Sequence, residues 1–139
     1  MGVGREEVLS WFDAVHWHQG EWVPEIVVAL WSGRKRFLDL LEEIRESSTQ
    51  HRWSTRTRPL SRQSLAQTLQ GMVRDELVLR HEDNSSAPKA VWYELTPVVR
   101  AFLEEHAGST AEWVDANRDL IERVRQRRFM PNRGWDSSD

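Results

Sequence analysis

Residues 60–78 read LSRQSLAQTLQGMVRDELV, and this stretch combines an apolar and a polar helix face. Its apolar residues recur at the spacing of an amphipathic α-helix: Leu65, Leu69, Met72 and Val73. Its polar face carries side chains that suit phosphates and base edges: Arg62, Gln63, Ser64, Gln67, Thr68 and Gln70. Ser61 stands just before this pattern, where its hydroxyl can cap the helix. It is also a candidate DNA contact, because the backbone N–H groups beside it would face a phosphate at the helix N-terminus. The stretch therefore predicts a helix that buries one face and offers a hydrogen-bonding face to a partner.

The same helix lies in a basic block. Between Ser47 and Arg74 no Asp or Glu occurs, and five arginines do: Arg52, Arg56, Arg58, Arg62 and Arg74. The chain as a whole carries a formal net charge of -3. A carboxylate-free basic block in an acidic chain concentrates positive potential on one part of the surface, which is typical of phosphate-backbone binding. We expect Arg52, Arg56 and Arg58, in the connection before the helix, to contact phosphates.

Composition limits the possible functions. The chain has 139 residues and no cysteine, which predicts one domain and excludes disulfides, thiolate nucleophiles and Cys-ligated zinc. The longest apolar run, residues 26–32, is too short to cross a bilayer, and the first ten residues lack a signal core. These features lead us to expect a cytoplasmic protein without membrane contact.

Catalysis and metal binding lack support in the sequence. No Ser/His/Asp order, phosphate-cradling glycine loop or carboxylate pair stands out. His16 and His18, with Glu21, are the nearest approach to a metal motif, but a spacing of two does not place both imidazoles on one helix face. We therefore expect no enzyme activity, no metal and no cofactor.

Hydrophobic periodicity and helix- or strand-breaking residues divide the chain into secondary-structure elements. Four helices are expected over residues 6–18, 23–31, 36–46 and 61–75. A fifth helix is expected to start at Pro97 and to end at a break at Gly108-Ser109, and a sixth is expected over residues 110–128. Strands are expected over residues 77–81 and 90–95, joined by turn-forming residues 83–88. Residues 130–139 are expected to form a flexible tail.

This order of elements is that of a winged helix-turn-helix domain, mainly α with a small β-hairpin wing. There the third core helix enters the major groove and the wing follows the neighbouring backbone, so Arg80 and Lys89 beside the wing are candidate contacts. We expect a single domain over residues 1–139, with a DNA-binding core at 20–95 and dimerisation helices at 5–19 and 97–129. The expected dimer contacts are Trp11, Phe12, Trp113, Leu120, Ile121 and Val124.

Three segments carry a resemblance to a known family. They are GEWVPEIVVALWSGRKRFLDLLEEIR (20–45), LSRQSLAQTLQGMVRDELVLRHE (60–82) and VWYELTPVVR (91–100). Together they resemble the HxlR-type winged-helix transcriptional regulators, relatives of the MarR type. The resemblance implies a homodimeric repressor that reads a pseudo-palindrome in double-stranded DNA. The chain departs from the family pattern in lacking cysteine, in carrying Glu76 and Val99 where the pattern has glycine, and in the longer connection before the recognition helix.

Eight tryptophans leave a second function open. One interpretation places six of them in the core or in dimer contacts: Trp11, Trp17, Trp22, Trp31, Trp92 and Trp113. The alternative is that some line a pocket for a flat aromatic effector, which would make the chain a ligand-sensing or drug-binding protein on the same scaffold. A protein-interaction module that no longer binds DNA is a third possibility, against which the arginine block argues.

Overall fold

A computed structural model describes residues 2–46, 53, 58–85 and 87–129. The chain divides into two compact units, the first of residues 1–51 and 58–96, the second of residues 52–57 and 97–139. The helices of the first unit are α1 (Arg5–His16), α2 (Val23–Trp31), α3 (Phe37–Glu46) and α4 (Arg62–Arg74). Its strands are β1 (Lys35–Arg36), β2 (Val78–Asp83) and β3 (Ala90–Leu95). The second unit contains α5 (Pro97–Ala116) and α6 (Arg118–Phe129).

The core of the first unit is built from the apolar faces of three helices and the base of the sheet. α2 contacts α3, and α4 contacts β2. Its fully buried apolar side chains include Ile26, Leu30, Leu40, Leu60, Leu65, Leu69 and Val78. The burial of each such side chain contributes about 1.5–3 kcal/mol before entropy is counted. The helical spacing of residues 65, 69 and 72 thus predicted the buried face of α4 correctly.

The wing is part of a three-stranded antiparallel sheet with the order β1-β3-β2. The predicted hairpin is present, with Val78 opposite Leu95 and His81 opposite Trp92. The third strand, β1, was not predicted, and it pairs Lys35 with Tyr93 across its two residues. A two-residue strand is too short to show the alternation by which strands are found in a sequence.

The second unit differs from the prediction at its helix break. α5 continues through Gly108 and Ser109 to residue 116, because a glycine inside a helix costs only about 1 kcal/mol relative to alanine. The Ser109 hydroxyl donates to the His106 carbonyl at 3.3 Å. The break falls instead at Asn117, whose side-chain amide donates to the Trp113 carbonyl at 2.9 Å. α6 therefore begins at Arg118, eight residues after the expected start of the last helix at 110.

The six tryptophans assigned to the core or to dimer contacts lie outside the buried core. Trp11, Trp31 and Trp113 are exposed, while Trp17, Trp22 and Trp92 are half-buried. None of these six side chains therefore lies in the core, because aliphatic side chains make up most of the described interior. Contacts between copies of the chain stay a prediction. In the part of the chain that the structure describes, no helix combines the length and apolarity that crossing a membrane requires.

Candidate nucleic-acid interface

Two contacts fix the start of α4. Ser61 has an extended backbone, with φ -90°, and its hydroxyl oxygen accepts a hydrogen bond from the Ser64 backbone N–H at 3.0 Å. Leu60, one residue earlier, is only 1% exposed. Its carbonyl accepts a hydrogen bond from Arg45 Nε on α3 at 2.7 Å. The prediction that Ser61 caps the helix is confirmed, and the cap stands on an anchored backbone.

One side of α4 is open to solvent along its whole length. Gln63, Gln67, Gln70 and Arg74 are all exposed, and their spacing of four, three and four residues places them in one line. We call these four residues the exposed stripe. Gln70 belongs to the predicted polar face and Arg74 to the basic block, and the structure places both in line with Gln67. Arg62 is exposed at the first residue of the helix, and α4 has no acidic residue in its first turn.

Ser64 and Thr68 lie on the flank of α4 rather than on the exposed stripe. Both are half-buried. The Thr68 hydroxyl donates to the Ser64 carbonyl at 2.8 Å, and the Ser64 hydroxyl accepts from Ser61 Oγ at 3.0 Å. Their predicted DNA contacts compete with these intrahelical bonds, which favours the exposed stripe as the surface for base contacts.

The predicted phosphate contacts before α4 are described only in part. Arg58 is exposed. Arg52 and Arg56 lie outside the described residues.

The two predicted wing cations share one carboxylate. Arg80 donates a hydrogen bond to Glu82, and Lys89 Nζ lies 3.0 Å from Glu82 Oε2. The hydrogen bond from Arg80, followed by that from Lys89, holds the pKa of Glu82 below its ordinary value. The hydrogen bond to Glu82 in turn raises the pKa of Arg80. The edge of the wing therefore carries two positive charges around one negative charge.

The tip of the hairpin starts with an aspartate-stabilised turn, in line with the predicted turn at residues 83–88. The Asp83 carboxylate accepts hydrogen bonds from the hydroxyl and the backbone N–H of Ser85, the latter at 3.0 Å. These two bonds lower the pKa of Asp83, because they stabilise its charged form. The turn thus adds a second fixed negative charge at the tip of the hairpin.

The sheet adds two cations that the sequence analysis did not single out. Arg34 and Arg36 place their guanidinium carbons 5.0 and 4.7 Å from the ring centroid of Trp92. Lys35, which lies between them in sequence, makes intramolecular contacts instead. Its Nζ lies 2.8 Å from the Ala29 carbonyl and 3.4 Å from Glu43 Oε1. The run GRKR was visible in the sequence, but its pairing with β3 was not.

The predicted dimer residues are mostly at the surface of their own unit. In the first unit, Trp11 and Phe12 on α1 are 49% and 53% exposed, and no residue of α1 is buried. In the second unit, Trp113 and Leu120 are exposed, while Ile121 and Val124 are half-buried. Large apolar side chains left at the surface are typical of interaction sites.

The histidines near the end of α1 have other contacts. His16 Nδ1 lies 2.7 Å from the Phe12 carbonyl oxygen, and the His18 ring meets the Trp17 ring edge-on, with centroids 4.8 Å apart. Among the described residues no group of three or more His, Asp or Glu side chains is arranged to hold a metal ion.

No protein-family model matches the sequence, and no curated protein does. Solved structures do match the fold. A protein assigned as a MarR-family transcriptional regulator from Enterococcus faecalis V583 superposes with a TM-score of 0.61 at 23% identity, over 88% of this chain and 96% of that one. The reduced form of the transcriptional regulator YodB from B. subtilis gives 0.57 at 23% identity, over 83% and 95%. A protein assigned as the transcriptional regulator ytfH from Salmonella typhimurium gives 0.52 at 25% identity, over 84% and 91%. The likeness confirms the predicted winged-helix fold, mainly α with a small antiparallel sheet.

Proposed function

We propose that this protein is a sequence-specific double-stranded-DNA-binding transcriptional regulator. The observation that carries the proposal is the exposed stripe on α4. It offers three amide side chains and one guanidinium along a single helix face, beside a capped N-terminus. Glutamine amides suit the donor and acceptor pattern of adenine in the major groove, and arginine suits guanine or phosphate. The matched structures support this function, because they are described as transcriptional regulators.

We propose that phosphates are contacted at two places on the protein, the start of α4 and the sheet. At the start of α4, Arg58 and Arg62 are exposed and continue the basic block to which Arg52 and Arg56 belong. At the sheet, Arg34 and Arg36 add positive charge around the Trp92 ring. Such contacts position a protein on the duplex, whereas the exposed stripe provides the base contacts. The HxlR subtype remains part of the proposal, on the three sequence segments given above.

The proposal includes a homodimer, which the exposed apolar side chains of α1 support. Val8, Leu9, Trp11 and Phe12 on α1 are each at least 47% exposed, which is unusual for a helix in a complete assembly. We infer that a second copy covers α1 and the Trp113–Leu120 region. Two recognition helices about one turn of DNA apart would then contact successive major grooves of a pseudo-palindrome. The simplest regulatory outcome is repression by occlusion of the promoter.

The test begins with selection of bound duplexes from a random library, because the operator is unknown. Fluorescence anisotropy then compares the selected duplex with a scrambled one between 50 and 200 mM salt. We expect a preference of at least about 10³-fold and a steep fall in affinity with salt. Methylation protection of guanine N7 should map two half-sites about 10 base pairs apart. Equal, salt-independent binding of both duplexes would contradict the proposal.

Light scattering on the free protein tests the dimer separately. The chain has a mass of 16.4 kDa, and we expect twice that value at micromolar concentration. A stable monomer that binds only half-sites would remove the dimer from the proposal while leaving DNA binding in place.

A further inference from the structure

The chain is rich in arginine and poor in lysine. Lys35 and Lys89 are its two lysines, against 17 arginines. The difference matters chemically, because a guanidinium keeps its proton in proteins, whereas a lysine amine can lose its proton and act as a nucleophile. Acylation of a side-chain amine can therefore occur at two positions in this sequence.

Lys35 is withheld from such a reaction by its contacts. A lysine ammonium has three hydrogens to donate. The Nζ atom of Lys35 lies 2.8 Å from the Ala29 carbonyl oxygen, 2.8 Å from Ser32 Oγ and 3.4 Å from Glu43 Oε1. The side chain is 18% exposed. Because these contacts join β1 to α2 and α3, a reagent would have to break packing within the first unit to reach this amine.

Lys89 is the accessible lysine. It stands at the end of the hairpin turn, one residue before β3, and its side chain is 50% exposed. Among the described residues, its Nζ is paired with a single group, the carboxylate of Glu82, at 3.0 Å from Oε2. No element packs over this amine in the way that α2 and α3 enclose Lys35.

Glu82 brings Lys89 next to a second cation. Arg80 donates to Glu82 Oε1 while Lys89 lies beside Oε2, so the two cations occupy the two oxygens of one carboxylate. An acyl phosphate carries an anionic phosphoryl group bonded through oxygen to its reactive carbonyl carbon, and arginine pairs well with phosphate. A donor held at its phosphoryl group by Arg80 therefore has its carbonyl carbon close to Lys89 Nζ.

We propose that Lys89 is a site of N-acylation by small acyl phosphates, and that acylation weakens DNA binding by the wing. In the reaction the deprotonated amine attacks the carbonyl carbon and an N–C bond forms. The C–O bond to the phosphate breaks, and its electron pair leaves with the phosphate. Of the three protons of the ammonium, one stays on the amide nitrogen, one ends on the phosphate and one goes to water. No group is oxidised or reduced.

The effect on DNA follows from the charges around Glu82, and this part rests on the proposed function. Before acylation, Arg80 and Lys89 surround one carboxylate, which leaves a net charge of one positive at this edge of the wing. After acylation, Arg80 and Glu82 remain as a neutral pair. The loss of one phosphate contact per wing should reduce the salt slope by about 1 and the affinity at about 0.1 M salt by about eightfold.

Acetyl phosphate is the probe for the chemistry. The full chain is treated with it in the absence of DNA, and peptides from a protease that cleaves after glutamate are quantified by mass spectrometry. We expect Lys89 to be acetylated at least about tenfold faster than Lys35, whose hydrogen bonds must first be broken. Equal rates at the two lysines, or no acetylation of Lys89, overturns the proposal.

A second donor tests the role of the phosphoryl group. An uncharged thioester, S-acetyl-N-acetylcysteamine, delivers the same acetyl group without an anion. The ratio of the two rates at Lys89, acetyl phosphate over thioester, should fall in Arg80→Gln, because the phosphoryl group loses its arginine. Arg123→Gln removes an exposed arginine from α6 and should leave the ratio unchanged. The same ratio in both variants overturns the assignment of the donor.

Anisotropy on the selected duplex measures the regulatory part. Acetylated wild type should bind about eightfold more weakly than untreated protein at about 0.1 M salt. Lys89→Arg cannot be acetylated at this position, so its affinity should be equal before and after treatment. Acetylated Glu82→Gln should recover the affinity of untreated wild type, since both carry one positive charge at this edge. An acetyl group that acted only by its bulk would not be rescued in this way.

The two parts of the proposal fail separately. Unchanged DNA affinity after complete acetylation of Lys89, or no recovery in acetylated Glu82→Gln, overturns the regulatory part. Because the acetylated positions are mapped without DNA, failure of the proposed DNA binding leaves the result on Lys89 intact.

Discussion

The guanidinium of Arg45 holds the backbone carbonyl of Leu60, with Nε donating to the oxygen at 2.7 Å across fifteen positions of sequence. Arg45 stands in the last turn of α3, and Leu60 is buried just before the cap of α4. The long connection between these helices therefore ends at a fixed point. Because the cap follows directly, this contact determines where the N-terminus of the recognition helix lies.

Replacement of Arg45 by Met should remove the hydrogen bond that holds the Leu60 carbonyl while preserving most of the side-chain volume. The loss of a part-buried hydrogen bond to a charged donor is expected to lower the free energy of unfolding by about 1–2 kcal/mol. DNA affinity should fall on cognate and scrambled duplexes alike, because the whole helix is less well positioned. Urea unfolding and anisotropy measure the two effects. Glu42→Gln, at an exposed position on the same helix, serves as the control and should stay within about 0.5 kcal/mol of the wild type. A stability equal to that of the control would contradict the anchoring role.

Ser61 offers a way to separate capping from DNA contact. Ser61→Ala should cost about 1 kcal/mol of stability, because the Ser64 N–H loses its acceptor. Ser61→Asp keeps the cap and adds a favourable charge at the helix N-terminus, so the free energy of unfolding should change by less than about 0.5 kcal/mol. The same charge would face phosphate, and DNA affinity should fall at least about tenfold. Thermal melts and anisotropy on both variants test this. If Ser61→Asp binds DNA as the wild type does, the N-terminus of α4 does not approach the backbone.

Glu76 marks the end of α4 in a strained conformation. Its φ is +63°, and the Leu77 N–H bonds back to the Met72 carbonyl at 2.8 Å, as in a helix terminus that normally carries glycine. The HxlR-type pattern that the sequence resembles has glycine at this position. Because a left-handed residue with a Cβ costs about 1–2 kcal/mol, Glu76→Gly should raise the free energy of unfolding by about 0.5–1 kcal/mol after the larger chain entropy of glycine is counted. Chemical denaturation is the measurement, with Glu42→Gly, at an exposed interior position of α3, as a control that should destabilise. A destabilised Glu76→Gly would show that the Glu76 side chain makes a compensating contact.

The sequence predicted what depends on long periodic patterns. The helix at residues 23–31 matches α2, the strand at 90–95 matches β3, and Ser61 caps α4 as predicted. Features that depend on tertiary pairing were missed. β1 exists only because β3 lies beside it, and α5 passes Gly108 because one glycine is too weak a breaker without a competing turn.

In the candidate site, too, the periodic pattern was predicted and the tertiary contacts were not. Helical spacing indicates the polar face of α4, but it does not show that Thr68 bonds the Ser64 carbonyl or that Glu82 lies between Arg80 and Lys89. The contacts that enclose Lys35 were also beyond prediction, since they come from α2, the residue after it and α3.

The exposed stripe predicts which substitutions change specificity. Gln63→Ala, Gln67→Ala and Gln70→Ala should each lower the affinity for the selected duplex by about 1–3 kcal/mol and leave binding to scrambled DNA nearly unchanged, because amides that contact base edges carry sequence information. Arg62→Ala is expected to reduce discrimination as well, and Arg56→Ala to weaken all duplexes equally. Ala66→Gly, on the same exposed side, controls for helix stability. If all three glutamine variants lose affinity equally for both duplexes, the exposed stripe does not contact the bases.

Glu82 pairs with both wing cations, Arg80 and Lys89, and its removal should strengthen DNA binding. Glu82→Gln preserves the shape but releases Arg80 and Lys89 for phosphate, so affinity should rise on all duplexes and the salt slope should steepen by about 1–2. The pKa of Glu82 is lowered in the folded protein, so its ion pairs persist above the unfolded value of about 4.3 and are lost only as pH falls through the lower folded value. The difference between variant and wild type should therefore be constant from about pH 5.5 to 8. Anisotropy across salt and pH measures it, with Glu105→Gln on α5 as the control for a change in net charge alone. An affinity gain no larger than that of Glu105→Gln would mean that the wing cations do not contact the duplex.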